Sequence, residues 1–140
     1  MLFRSTSVAG VEAEFSGSWT PGIAFAGVNT GITYSTQSGR FYYRGGMIHG
    51  FGQITLTSKG AAAGATTITG LPFACGLLNG AAWVSKYSGM NTAFTPVLDI
   101  TVNTSVINVK TGAAGSEAAF ANTDLSDTSD INFAFAYPVA

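Results

Sequence analysis

GITYSTQSGRFYYRGGMIHGFGQITLTSKGAAAGATTITGLPF, residues 31–73, is the stretch that decides how this chain is read. It is a series of short strand patterns broken by glycine and rich in Thr, Tyr and Ile, residue types that suit a pleated, half-buried surface. Between Gly31 and Phe73 stand two Arg, one Lys, one His and no carboxylate, so the stretch encodes pleats and turns, not a reaction centre. Within Met47–Thr57, Ile48, Ile54 and Leu56 share one parity and Phe51 takes the other. Gly50 and Gly52 inside that strand point to a bulge or a close backbone approach.

Working outward, the β pattern continues in both directions. Ile23–Phe25, Ile32–Tyr34 and Phe41–Arg44 are short strand candidates separated by Gly and Asn. Ser58-Lys59-Gly60 opens a loop, and Ala65–Thr69 is a strand stopped by Gly70-Leu71-Pro72. Ala81–Tyr87, Phe94–Val102 and Ser105–Lys110 follow, the last two joined by a predicted two-residue turn at Asn103-Thr104. Ile131, Phe133, Phe135 and Tyr137 then alternate with Asn132, Ala134 and Ala136. A one-residue slip would turn that aromatic face outward, so the register is well specified. Helical signal is confined to single turns at Glu117–Ala121 and Leu125–Thr128. About nine or ten short strands with frequent turns predict an all-β antiparallel β-sandwich, jelly-roll-like, as one domain over 19–140 behind an N-terminal arm or leader over 1–18.

Charge is the anomaly of the composition. Only 9% of the 140 residues are Asp, Glu, Lys or Arg, against about 25% in ordinary soluble domains. Gly, Ser, Thr and Asn together number 55 and cover part of the surface without charge. The other cover expected is a neighbouring subunit, because obligate interfaces are more apolar than free surface. A net charge of −1 gives no basic footprint for nucleic acid and no polybasic patch for a membrane. Nothing reads as a signal peptide or a membrane span. One cysteine, Cys75, excludes an intrachain disulfide and a cysteine-cluster metal site, and no cofactor is expected.

Candidate sites are few. The lone His49 sits in a strand pattern beside Ile48 and Gly50 and reads as a surface imidazole, not a catalytic base. Cys75 reads as a small buried hydrophobe. Asp124, Asp127 and Asp130 could gather around Ca²⁺, though their spacing fits no EF-hand loop and turn capping explains the composition as well. No pair among Glu12, Glu14, Asp99 and Glu117 reads as the two carboxyls of a glycosidase, so catalysis is not expected. Leu2, Phe3 and Phe15 are candidate contacts of an arm that orders against a neighbour. Trp19, Tyr42, Tyr43, Trp83 and Tyr87 are candidate interface or glycan-facing aromatics, with the core as their alternative address.

Residues 15–73 resemble a module found at the C-terminal end of bacteriophage tail-fibre and tail-associated proteins. The parts that carry the resemblance are Trp19-Thr20-Pro21, GITYSTQSGR at 31–40, ITLTSKG at 54–60 and ITGLPF at 68–73, with a looser echo in LSDTSDINFAFAY at 125–137. The resemblance implies a homotrimeric β-sandwich on a virion surface and no catalytic residues. Phe41-Tyr42-Tyr43 is more apolar than the family pattern, and with Met1 at the start of the sequence the module is expected to stand free, without a shaft. The low charge, the apolar leader and the expected free-standing module lead to the expectation of a non-catalytic capsid decoration (cement) protein bound to the major capsid protein or another virion protein. The alternative expectation is a tail-fibre or tail-tip receptor-binding domain that recognises a host surface glycan.

Overall fold

The computed structural model describes residues 2–4, 14–113 and 116–139. Its strands are β1 (Leu2–Arg4), β2 (Glu14–Trp19), β3 (Gly22–Phe25), β4 (Ile32–Arg44), β5 (Met47–Lys59), β6 (Thr66–Thr69), β7 (Gly80–Met90), β8 (Pro96–Ile100), β9 (Ile107–Ala113), β10 (Ser116–Ala119) and β11 (Leu125–Pro138). A single 3₁₀ turn, Asn122–Asp124, precedes β11. Among the described residues no helix is long and apolar enough to cross a membrane.

The frame is set by the β4–β5 hairpin. Gly45 and Gly46 take φ of 58° and 77°, the left-handed pair that a two-residue hairpin turn demands. That turn pairs Arg44 with Met47 and Phe41 with Gly50, and so puts Phe41, Ile48, Ile54 and Leu56 on one buried face. β11 then pairs antiparallel with β5 on one side and β7 on the other, its Ile131, Phe133, Phe135 and Tyr137 all facing the same core. The full order is β1-β2-β4-β5-β11-β7-β8-β9-β6-β3, with β10 on β9, every ladder antiparallel.

The sheet has to curl, and the chain shows why. β2 and β3 are eight strand steps apart in that order, which in a flat sheet at ~4.8 Å per step is about 38 Å. Only Thr20 and Pro21 join them, a link that spans about 10 Å. The β3 end is therefore brought round onto the inner face of β4. There the Tyr34 hydroxyl accepts from the Ile23 amide at 2.8 Å, and Gln37 Nε2 donates to the Pro21 carbonyl at 2.9 Å. The result is a single antiparallel sheet rolled into a half-barrel around its core.

Aromatic rings fill the hollow of the roll. Trp19 stands edge-on to Phe133 and Phe135, with centroids 5.9 and 5.3 Å away. Its ring lies where a side chain on Gly39 would stand, and the Phe133 ring does the same at Gly52. The glycines inside the long strands thus serve a close approach, one of the two roles expected of them.

Several expectations change. All-β and antiparallel hold, and all eleven strands are linked by continuous ladders into one curled sheet. Ile32–Tyr34 and Phe41–Arg44 are the ends of one 13-residue strand. Glu117 lies in β10 and Leu125 opens β11, so neither forms the helical turn predicted there. The β8–β9 connection is longer than two residues, with Asn103 at φ 65° and the Thr104 amide bonded to the Thr101 carbonyl.

Candidate functional site

The long strands β4, β5, β11 and β7 lie side by side, and their outward residues fall in register. Arg40, Phe51, Ala134 and Trp83 form one cross-strand row, each paired directly with the next. Tyr42, His49, Ala136 and Ala81 form the row on one side, and Ser38, Gln53, Asn132 and Lys86 the row on the other. Phe51 and Trp83 are 60% and 53% exposed, while Ala134 between them is only 4% exposed, so the two rings screen it from water. Tyr42, 41% exposed, stacks on the His49 ring at 5.6 Å.

Beside the Phe51 ring is an open depression of about 270 Å³, lined by Ser38, Arg40, Phe51, Gln53, Ser85 and Asn132. Ser85 reaches it because the β7–β11 register shifts there: Lys86 pairs with Asn132 and Val84 with Phe133, leaving Ser85 as the extra residue of a bulge. The Ser85 hydroxyl donates to the Asn132 backbone carbonyl at 3.2 Å. Asn132 Oδ1 is buried without a hydrogen-bond partner. Among the described residues Arg40 enters no ion pair, whereas Lys86 is held by Asp130 at 3.6 Å and Arg44 by Glu14 at 3.2 Å. A second hollow of about 280 Å³ lies at the β2 end, bordered by Phe15, Tyr42, Tyr43 and His49.

The residues singled out in the sequence go to different places. Tyr42 and Trp83 come to the outer face together. Trp19 is core: its ring N–H donates to the Phe51 carbonyl at 3.1 Å, and burial removes it from any surface role. Tyr43 is half-buried and stacks on Phe15 at 4.6 Å. Phe15 also meets Phe41 and Phe73 edge-on. Tyr87 is exposed, but it pairs with Ile131 on the opposite parity, away from Trp83. Leu2 and Phe3 lie in β1, whose backbone pairs with Ser16 and Phe15 of β2, and residues 5–13 of the expected arm are outside the described residues. Phe51, the most exposed ring of the outer face, was the residue that the site reading missed, although its parity opposite to Ile54 was the signal for it.

The titratable groups are tied up singly. Asp124 accepts from the Ala121 amide, Asp127 from the Lys59 amide and Asp130 from the Thr55 hydroxyl. The three carboxylates do not converge, and among the described residues no trio of His, Cys, Asp or Glu could hold a metal. Asp99 and Glu117 are brought together across Lys110, which the sequence did not signal. Burial alone would raise the Asp99 carboxyl, but hydrogen bonds from Asn108 and Lys110 bring it below its ordinary value. Asp99 is thus the anion of an ion pair, poorly suited to donate a proton. Burial pushes the Cys75 thiol up, and its Sγ donates to the Leu78 carbonyl at 3.0 Å.

Fold and surface together define the class: an all-β protein made of one curled antiparallel sheet, with an aromatic and sparsely charged outer face. The same fold occurs in the crystal structure of the Dettilon tailspike protein (gp208), with a TM-score of 0.70 and 14% identity. The match covers 89% of this chain and 24% of the tailspike, so the chain spans about a quarter of that protein's length. No family model matches the chain. No curated protein matches it either.

Proposed function

We propose that this chain is a non-catalytic structural module of a bacteriophage tail, displayed on the virion surface with its outer sheet face toward the host. The observation that carries the reading is the fold shared with a tailspike over 89% of the chain. The resemblance of residues 15–73 to tail-associated modules points the same way, and it supplies the expectation of a homotrimer. The outer face suits recognition: its rings are flat, apolar and fixed in a rigid sheet, and its polar groups are mostly uncharged. Capsid decoration ranks behind this reading, because the fold likeness is to a tail protein and no described surface feature favours a shell partner.

Immunogold labelling of intact particles, with copy number from quantitative mass spectrometry, tests the address. Label at the tail and a few dozen copies at most are expected, with adsorption lost in particles that lack the protein. Label over the shell in hundreds of copies, with adsorption intact, returns the protein to decoration. Sedimentation of the full chain tests the trimer, and a stable monomer at micromolar concentration refutes it.

A further inference from the structure

The depression beside Phe51 has a chemistry of its own. One wall is an exposed aromatic ring, the surface on which the apolar face of a sugar ring packs. Ser38, Gln53, Ser85 and Asn132 supply hydroxyl and amide groups, which can both donate to and accept from ring hydroxyls. Asn132 Oδ1 is an acceptor taken out of water without a donor, so turning this side-chain amide out to a ligand forfeits no hydrogen bond of that oxygen. Gln53 makes no side-chain hydrogen bond to another described residue, so its amide is free to turn to a ligand. At about 270 Å³ the space is below the range of drug-sized pockets and fits a single sugar residue of a longer chain.

Arg40 decides the charge of that residue. Arg40 lines the depression with no carboxylate partner among the described residues, while Lys86 and Arg44, the neighbouring cations, are each paired. A planar fork of N–H donors matches a carboxylate in bidentate fashion. One unpaired cation matches one negative charge. A doubly charged phosphate would call for a second cation that the depression does not offer.

We infer that the depression bounded by Arg40, Phe51, Gln53 and Asn132 binds a carboxylate-bearing sugar residue. The inference deepens the receptor-facing reading above and rests on it for its biological setting. Arg40 takes the carboxylate, Phe51 packs against the ring, and Gln53 with Asn132 reads the hydroxyls.

The test is a titration of the full ¹⁵N-labelled chain with sodium glucuronate, glucose and glucose 6-phosphate. Glucuronate should shift the side-chain amide signals of Gln53 and Asn132 and bind at least about tenfold more tightly than glucose. Arg40→Gln should bring glucuronate down to the level of glucose, and Phe51→Ala should abolish both. Both side chains are exposed, so the variants should keep the parent's unfolding midpoint. Equal binding of glucose and glucuronate with no effect of Arg40→Gln overturns the inference, as does tighter binding of glucose 6-phosphate. So does a Phe51→Ser variant that turns an oligomer into a monomer, since the face would then be a subunit interface. Binding of fluorescent protein to host cells reads the broader proposal separately. Cell binding without a glucuronate response sinks the sugar assignment alone, whereas a glucuronate response without cell binding sinks the receptor-facing reading and leaves the site.

Discussion

Gly52→Ala tests how the core is closed. Gly52 pairs with Phe133 across the β5–β11 ladder, and the Phe133 ring occupies the space over it. A Cβ at position 52 would stand 2.8 Å from each of two Phe133 ring carbons, against about 3.5–4.0 Å for a comfortable contact. Phe133 cannot simply withdraw, because it is buried edge-on against Trp19, and Trp19 in turn fills the space over Gly39. Two effects oppose each other. Replacing a strand glycine by alanine restricts the unfolded chain and stabilises by about 0.4–1 kcal/mol. Overpacking a filled core costs about 1–3 kcal/mol. The second should win, leaving a net loss of about 1–2 kcal/mol, or about 3–8 °C in melting temperature at this chain length. Urea unfolding followed by tryptophan fluorescence reads the loss directly, and an unchanged m-value would assign it to stability alone. Phe133→Leu made on top of Gly52→Ala should cost less than it does alone, because it clears the clash. A Gly52→Ala protein as stable as the parent, or additive behaviour of the pair, would refute the ring-over-glycine packing.

Three further outcomes concern groups outside the depression. Burial pushes the Tyr137 hydroxyl up to about 12, an effect only partly offset by the Phe73 backbone amide, which donates to the hydroxyl oxygen at 3.4 Å. Since the folded value lies above the ordinary 10, this group's stabilisation is complete below pH 10 and is lost as pH rises from 10 through about 12, by up to about 2.7 kcal/mol. Denaturation curves from pH 8 to 12 should show that alkaline loss in the parent and a much smaller one in Tyr137→Phe; parallel profiles would contradict it. Added Ca²⁺ should leave the melting temperature unchanged, because Asp124, Asp127 and Asp130 serve separate partners. Asp130→Ala, by contrast, should cost about 1–2 kcal/mol by stranding Thr55 and Lys86, and a calcium-dependent rise in melting temperature would show that the carboxylates do converge.

What was legible in the sequence was local. The alternation of Ile131 to Tyr137 gave the central strand its face and register, and the parity of Ile48, Ile54 and Leu56 gave β5 its buried side. β4 was harder for a definite reason. Ile32 and Tyr34 face inward on even positions, Phe41 and Tyr43 on odd ones, because the register slips between Tyr34 and Thr36. A single strand with a bulge therefore reads as two strands out of phase. Glu117-Ala118-Ala119 reads as a helical turn by intrinsic preference, but pairing with Lys110–Gly112 overrides it. The Gly45-Gly46 pair was the readable hairpin signal that the strand assignment passed over. The outer-face site was legible only as single residues, Tyr42 and Trp83, and not as a surface. Phe51 and Trp83 become neighbours only because β11 enters between β5 and β7, a non-local pairing that no spacing along the chain reveals.

That placement of β11 has a consequence for biogenesis. Of the described strands the last in the chain, β11, is the one at the middle of the sheet, so during synthesis β5 and β7 must wait for it with open edges. Those edges are long and carry exposed aromatics, the kind of surface that recruits other nascent chains. Closing them joins residues far apart in the chain, which places folding at the slow, millisecond-to-second end. Fidelity of the fold therefore depends on the 14 residues of β11, and crowding during translation is the hazard to which this architecture is most exposed.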